Sequence, residues 1–500
     1  MEAWLQHHRL TKDATRLARD VHTPPARGSG NDQEPQKSDK VLVAFEAEDC
    51  HSPREWPMRW KLFYITIIWC LVFVTGWSSA ADSTAHETAD IALHVSEVSE
   101  SLATSNYLFG VAIGAVFAGP CSETVGRLTT YLSTFAVYMI WVMDSALTPN
   151  FGAQIVFRFF AGLFASASMS TYGGSMADML EPKDRALIWP FFALSPLLGP
   201  TVAPVASGWI AQDLGWRWVD WISLIISGAA FVLAVLCLPE TFSPILLSSK
   251  AAALRKATSN DRYTSEFDES ARPPQKLLDN LRRSVYFITR ELTTVSLRAL
   301  FDLFGFLEGF DYVFSDTYVF DLGQRYSAFG AIAFGMVVGL PYVLLFNHFS
   351  GSSKSNVDPP PEQKLRPTLL AAPLLAGSLF WLGWTNRATI SFWSDLSACW
   401  VFGFTIMALF TATYHYLLDS YGTNAASAMA AITFMRYMAS GGMVLATEPM
   451  YEALGVQWSM TLLGCVAALL APVPWVFWWY GDKIRARSKW AFSQDEALSD

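Results

Sequence analysis

Residues 197–210, LLGPTVAPVASGWI, lie inside a longer apolar run yet hold two prolines, two glycines, a serine and a threonine. Proline in a helix interior costs about 3 kcal/mol and glycine about 1 kcal/mol. A helix packed in lipid has a use for such residues. Ser195, Gly199, Ala203 and Ser207 recur every four positions and so share one helix face. Lipid provides no hydrophobic drive between helices, so a smooth face that lets backbones approach is what holds them together. Pro200 and Pro204 lie beside the stripe, free backbone carbonyls and bend the helix. The stretch reads as a kinked membrane helix with a smooth face against a partner, and this reading decides the fold class.

The rest of the 500-residue chain agrees: charged residues are only 16%, aromatics reach 14%, and there are 20 Trp. Charges gather at the ends and between about 240 and 300. Elsewhere apolar stretches of about 20 residues are long enough to cross a ~30 Å hydrocarbon core. Twelve spans are expected, near 61–80, 103–120, 129–148, 152–175, 187–210, 217–238, 299–321, 327–348, 367–385, 392–416, 424–447 and 458–480. Turn signals such as Thr148-Pro149-Asn150 and Asp419-Ser420-Tyr421-Gly422 separate them.

The fold expected is an all-α membrane protein of two six-helix bundles, 61–238 and 299–480. A cytosolic linker, 239–298, joins them. A disordered N-terminal tail, 1–60, and a C-terminal tail, 481–500, flank them. The loop 81–102 has no Lys or Arg, whereas the N-terminal tail, the linker, the 349–366 loop and Lys483-Ile484-Arg485-Ala486-Arg487 are rich in them. Cations favour the cytosolic face, so both termini are expected there. Two such bundles are suited to rocking about a site at mid-membrane.

The formal net charge is -9, and the six cysteines are scattered and read as small core hydrophobes, with no disulfide or metal site expected. No G-x-x-x-x-G-K-[ST] loop, G-x-S-x-G elbow, H-E-x-x-H helix or dinucleotide fingerprint occurs. No enzyme activity, cofactor or nucleic-acid partner is expected, and energy must come from a gradient. A monomer in a lipid bilayer is the expected state.

An ionisable group at the bilayer centre costs several kcal/mol and is a functional candidate by default. Glu308 lies about 15 Å beyond Arg298, near mid-membrane, and Asp311 is one turn further on the same face. The pair could carry protons or hold a cationic substrate; it could also be a structural partner of Arg436 in span 11. Arg158 sits about 12 Å from the external end of span 4, within reach of Asp82 at the end of span 1. Protonating Asp82 would release the guanidinium.

Several motifs fall in order along the chain. Gly119-Pro120-Cys121-Ser122-Glu123-Thr124-Val125-Gly126-Arg127 follows span 2, Arg158-Phe159-Phe160-Ala161-Gly162 lies in span 4, and Gly199-Pro200-Thr201-Val202-Ala203-Pro204 with Gly208 lies in span 5. Trp216-Arg217-Trp218, Leu238-Pro239-Glu240-Thr241 and the Leu246 to Lys256 segment follow. Ala425-Ala426-Ser427-Ala428 with Arg436, and the run from Tyr480 to Ser488, complete the set. Together they resemble the major facilitator superfamily, in its fungal drug:proton antiporter branch with twelve spans. Leu128 replaces a basic residue of the loop signature, and Ala203 and Ser207 replace glycines of the span-5 motif.

The resemblance implies a transporter working by alternating access, exporting a small organic compound such as a drug, toxin or secondary metabolite in exchange for protons. A carrier of polyamines or other organic cations is the alternative, and a transporter-like sensor is a third reading. The resemblance assigns proton coupling to Arg158 and makes the span-5 stripe, with Gly199, Pro200, Pro204 and Gly208, a seal against the other bundle. Gly119, Glu123, Gly126, Arg127 and Asp178 would form a cytosolic gate, with an Arg127–Asp178 ion pair and Glu123 facing the N-terminus of span 11. Trp69, Phe164, Trp400 and Phe404 fall where the family's central helices face the cavity, and with Glu308 they are the expected substrate contacts. The plasma membrane is the implied location, with a vacuolar or vesicular membrane as the alternative.

Overall fold

A computed structural model describes residues 1–21, 41–45, 49–85, 97–269, 281–282, 286–287, 313–314, 320–351, 361–387, 389–421 and 425–485. The chain begins with α1, Glu2–Val21. The first half then comprises α2, Met58–Ala80; α3, Glu97–Val125; α4, Arg127–Leu147; α5, Phe151–Met179; α6, Pro182–Ala193; α7, Ser195–Leu214; and α8, Arg217–Cys237. After α9, Ser243–Thr258, the second half comprises α10, Leu322–Ser327; α11, Phe329–Gly351; α12, Arg366–Thr385; α13, Phe392–Tyr421; α14, Ala425–Leu470; and α15, Val473–Arg485.

Every expected span but the seventh falls on one or two helices; most of the seventh, with Glu308 and Asp311, lies outside the described residues. Among the described residues nine helical segments are long and apolar enough to cross a membrane. The third expected span, α4, is not among them, and the last two run together as Ala428–Arg485. Gly455 divides that run: its φ of 72° is left-handed, which glycine adopts without a steric penalty. The fifth span is likewise two helices, because Pro196 just past Leu194 cannot continue the hydrogen-bond ladder of α6. Ile140, Ile225, Val232, Phe334, Leu345 and Leu469 stand between 52% and 78% exposed, a surface that lipid solvates and water would not.

Within the first half, α3 and α5 touch backbone to backbone at Gly110, Gly114 and Gly162, where a Cβ would strike the carbonyls of Phe159, Leu163 and Tyr107. The second half repeats this between α11 and α13, where Gly335 faces the Trp400 carbonyl and Gly403 faces that of Ile332. Close approach through small residues is the packing that lipid favours.

The smooth stripe of α7 meets a different partner from the one expected. Ser195 Oγ donates to the Trp69 carbonyl at 2.7 Å. A Cβ on Gly199 would lie 2.6 Å from the Phe73 carbonyl oxygen and 2.8 Å from the Trp77 nitrogen. The stripe therefore packs on α2, in its own half. Gly208 faces the other half, against Tyr326 of α10. The four-residue repeat marks a close-packing face, and a second face of the same helix serves the interface.

Of the tail expected to be disordered over 1–60, residues 22–40 and 46–48 lie outside the described residues, and the described ones are folded. Helix α1 lies along α9, with Leu10 buried at 3% exposure. Val41–Leu42 pairs in parallel with Tyr263–Thr264. Asp49 accepts from Lys250 Nζ at 2.6 Å, and His51 Nε2 meets Asp13 Oδ2 at 2.9 Å. Burial pushes the Asp49 carboxyl up, but the Lys250 bond and the His51 amide outweigh it and leave it below its ordinary value. The described residues at the start of the chain and those of the linker up to residue 269 thus fold together.

Candidate functional site

The end of α2 carries the chemistry. Its last turn, Ser78-Ser79-Ala80, runs into a 3-10 turn over Asp82–Ala85. Arg158 of α5 reaches this turn, buried to 1% exposure, and forms ion pairs with both Asp82 and Asp220, which are 5% and 2% exposed. Its Nη1 also donates to the Ser78 carbonyl at 3.4 Å. The Asp82 partner was expected from the sequence; Asp220, in the first turn of α8, was not. The signal for it was a polar stripe on an otherwise apolar helix, since Ser223 and Ser227 follow at helical spacing. Ser223 accepts from Trp77 Nε1 at 3.0 Å, and Ser227 meets Tyr138, whose hydroxyl also bonds Ser78.

One guanidinium between two carboxylates leaves the cluster one negative charge in excess unless one acid holds a proton. Burial makes an uncompensated charge costly. Among the described residues, Oδ2 of Asp82 and Oδ2 of Asp220 have no hydrogen-bond partner, so each offers a place for that proton.

The opposite face of the same turn lines a cavity between the halves. Ser79, Ser83, Leu108, Phe329, Arg436 and Tyr437 line it, and Pro196, Pro200 and Pro204 form one wall. The prolines that bend α7 are therefore the residues it presents to the cavity. The Ser83 carbonyl accepts from Tyr326 of the second half at 3.2 Å. One helical turn thus joins the triad, the cavity and the contact between halves.

The aromatics expected in the cavity lie elsewhere. Trp69 donates to the Phe191 carbonyl at 3.2 Å and stacks on Phe73. Phe164 packs against the core, and Trp400, 36% exposed, stacks with Phe404 beside α11 on the outer side of α13. Span membership gave their depth but not the direction of their side chains. Arg436 does face the cavity, over the rings of Phe410 and Tyr437 at 5.4 and 4.5 Å.

At the end that carries the basic loops, Arg127 Nε donates to Asp178 Oδ2 at 3.2 Å, the pair that the resemblance implied. Gly174 leaves room for the guanidinium, which also donates to Ser122 Oγ at 2.5 Å. Ser122 in turn donates to the Gly119 carbonyl. Both members of the Arg127–Asp178 pair belong to the first half. Among the described residues, the ion pair that crosses between halves at this end is Arg185–Asp419, at 3.1 Å, with Lys364 on the other oxygen of Asp419. Glu123 is partly buried near Arg127, but residues 422–424, at the start of span 11, lie outside the described residues.

Glu240 organises the same end. Its carboxylate accepts from the backbone nitrogens of Arg127 and Leu128 at 3.1 Å, and of Thr241 and Phe242 at 3.0 and 2.9 Å. It therefore caps α4 from outside its own sequence, satisfying N–H groups that a helix start leaves unpaired. Gly126 permits this: its φ is 107°, and a Cβ would lie 2.6 Å from Glu240 Oε2. The Glu240 backbone also exchanges two hydrogen bonds with Gln6 of α1, at 3.0 and 3.1 Å. Glu240→Ala is expected to cost about 2 kcal/mol, the scale of a strong helix cap. A lower melting temperature and faster proteolysis after α8 would report it; an unchanged melting curve would exclude the cap.

A family model described as Major Facilitator Superfamily matches residues 63–446. The chain is 39% identical over 466 residues to the MFS-type transporter kojT of Aspergillus flavus, covering 90% of this chain and 82% of that one. It is 31% identical to the ascochitine biosynthesis cluster MFS transporter of Didymella fabae, covering 93% and 92% of the two chains. The fold matches that of the xylose transporter XylE from E. coli in a partially occluded inward open conformation. That match has a TM-score of 0.60 at 16% identity and covers 83% of this chain and 99% of the other. Those transporters are not enzymes, and the apolar helices make this a multi-pass membrane protein. From the match over residues 63–446, the relatives and the shared architecture, the chain belongs to the Major Facilitator Superfamily.

Proposed function

We propose that the chain exports a small organic compound, of the secondary-metabolite kind, in exchange for protons. The observation that carries this reading is the buried guanidinium shared by Asp220 and by Asp82, the latter on the turn that also lines the cavity. Taking up a proton frees Arg158 from one acid; losing it restores both pairs. Each change pulls on Asp82, and through Ser83 on Tyr326 of the other half. The proton would thus be felt both where substrate binds and where the halves meet. The name of one relative, which places it in a biosynthesis cluster, supports the class of cargo. Glu308 and Asp311 in span 7 belong to the same proposal as further proton carriers.

The two-bundle division, with both termini and the 239–298 linker in the cytosol, is part of the proposal, as is placement in the plasma membrane. The test uses everted vesicles from cells expressing the chain, acidified inside, with a panel of small aromatic compounds. Export substrates should release protons from wild-type vesicles. Asp82→Asn, which removes the charge excess while keeping a bond to Arg158, should abolish the release. Proton release unchanged by that substitution would refute the coupling role.

A further inference from the structure

We infer that α6 is a latch between the halves, and that Asn347, by bonding a carbonyl that Pro190 frees, is a positioning residue that sets how often the latch opens. This rests on the halves parting at the basic-loop end during transport, and not on the cargo or on protons. Helix α6 lies against α11 and α13 of the second half. Arg185, Ala186 and Trp189 fall on one face of it, and each reaches across. Arg185 pairs with Asp419 at 3.1 Å. Trp189 is fully buried; its Nε1 donates to the Thr411 carbonyl at 3.2 Å and its ring stacks on Tyr414. The Ala186 carbonyl accepts from Asn347 Nδ2 at 3.1 Å.

The last of these bonds follows from a proline. In an unbroken helix the Ala186 carbonyl accepts from the nitrogen four residues on, and Pro190 has no N–H to give. At membrane depth a carbonyl freed in this way is costly unless a neighbouring helix answers it. Asn347 answers it only while the halves are together; once they part, water does. The other two contacts keep partners after separation. Trp189 also stacks on Tyr172 of its own half, with ring centroids 5.8 Å apart, and Lys364 of the second half stays on Asp419. Opening therefore leaves the acid paired, which a buried carboxylate requires. Removing the Asn347 amide thus penalises the closed state and spares the open one.

The full chain in lipid nanodiscs, carrying Met429→Cys as a reporter, tests this. Met429 is 1% exposed, and its Cε would lie 2.8 Å from a Cβ on Gly173 of α5, so the side chain sits between the halves. A water-soluble maleimide reaches a thiol there only when the halves part, and peptide mapping separates the reporter from the native cysteines. Cys399, wholly buried within the second half, reports unfolding instead. Asn347→Ala should raise the labelling rate of the reporter about 10-fold, the scale of a buried group left without its hydrogen bond. Labelling of Cys399 should not change. Pro190→Ala returns an N–H to the Ala186 carbonyl, so in that background Asn347→Ala should change the rate by less than about 2-fold.

A reporter rate unchanged by Asn347→Ala, an equal rise in both backgrounds, or Cys399 labelling that rises in step would each overturn the inference. Labelling needs neither a gradient nor a cargo. The expected rates without proton-coupled flux therefore leave the latch standing and remove the coupling proposed above. Proton-coupled flux with a reporter indifferent to Asn347 does the reverse.

Discussion

Asp220→Asn is expected to reduce transport driven by a pH gradient by at least about 100-fold, the scale on which a positioned proton carrier contributes, while the protein still folds and reaches the membrane. Wild type holds one guanidinium against two buried carboxylates. The substitution removes the surplus charge and leaves a balanced Arg158–Asp82 pair with nothing to gain from a proton. The amide that replaces the carboxylate keeps an oxygen to accept from Arg158 in the place Asp220 occupies. The cluster should therefore be at least as stable as before, because the burial cost of a spare charge disappears.

Arg158→Ala makes the contrast. It strands two acids in a site they barely share with solvent, and breaking such a pair costs about 3–5 kcal/mol. That variant should be lost from the membrane fraction. Reconstituted vesicles with an imposed gradient, with and without a protonophore, give the comparison. If Asp220→Asn shows wild-type dependence on the gradient, the triad is structural and the coupling lies elsewhere.

Gly199→Leu carries the second large effect. Any Cβ at this position must sit 2.6 Å from the Phe73 carbonyl oxygen and 2.8 Å from the Gly76 carbon and Trp77 nitrogen. These are backbone atoms of α2 and cannot swing aside, so α7 must move away as a unit. The rest of the leucine side chain widens the gap. Overpacking of a tight site costs about 1–3 kcal/mol, and contacts with backbone belong at the top of that range. Because α2 and α7 share a half, the expected signature is a lower melting temperature and loss of the Ser195–Trp69 bond. A stable protein trapped in one transport state would mean that the glycine faces the other half.

How much of this was legible in the sequence differs between features. Helix positions were, because runs of about 20 apolar residues have few alternatives in lipid. The Arg158–Asp82 pair was, because depth along two helices is set by residue count alone. Asp220 was missed because an acid three residues after Arg217 reads as the solvated first turn of a helix. Which helix the α7 stripe meets was missed for a different reason: a smooth face records that something comes close, not what. Azimuth also decided the aromatics, since Trp400 lies at the right depth on the wrong side of α13. The docking of α1 was hidden by polar composition, which conceals an amphipathic helix when only overall hydropathy is weighed.

The reach of Glu240 to the start of α4 bears on how such proteins can be rebuilt. An acid placed beyond α8 holds the joint between α3 and α4, far away along the chain. Swapping the central segment for one that lacks this acid would remove the keystone of a loop that had not been touched. Chimeras cut on either side of residue 240 should behave differently, and grafts that carry the acid with its glycine counterpart should survive where others fail.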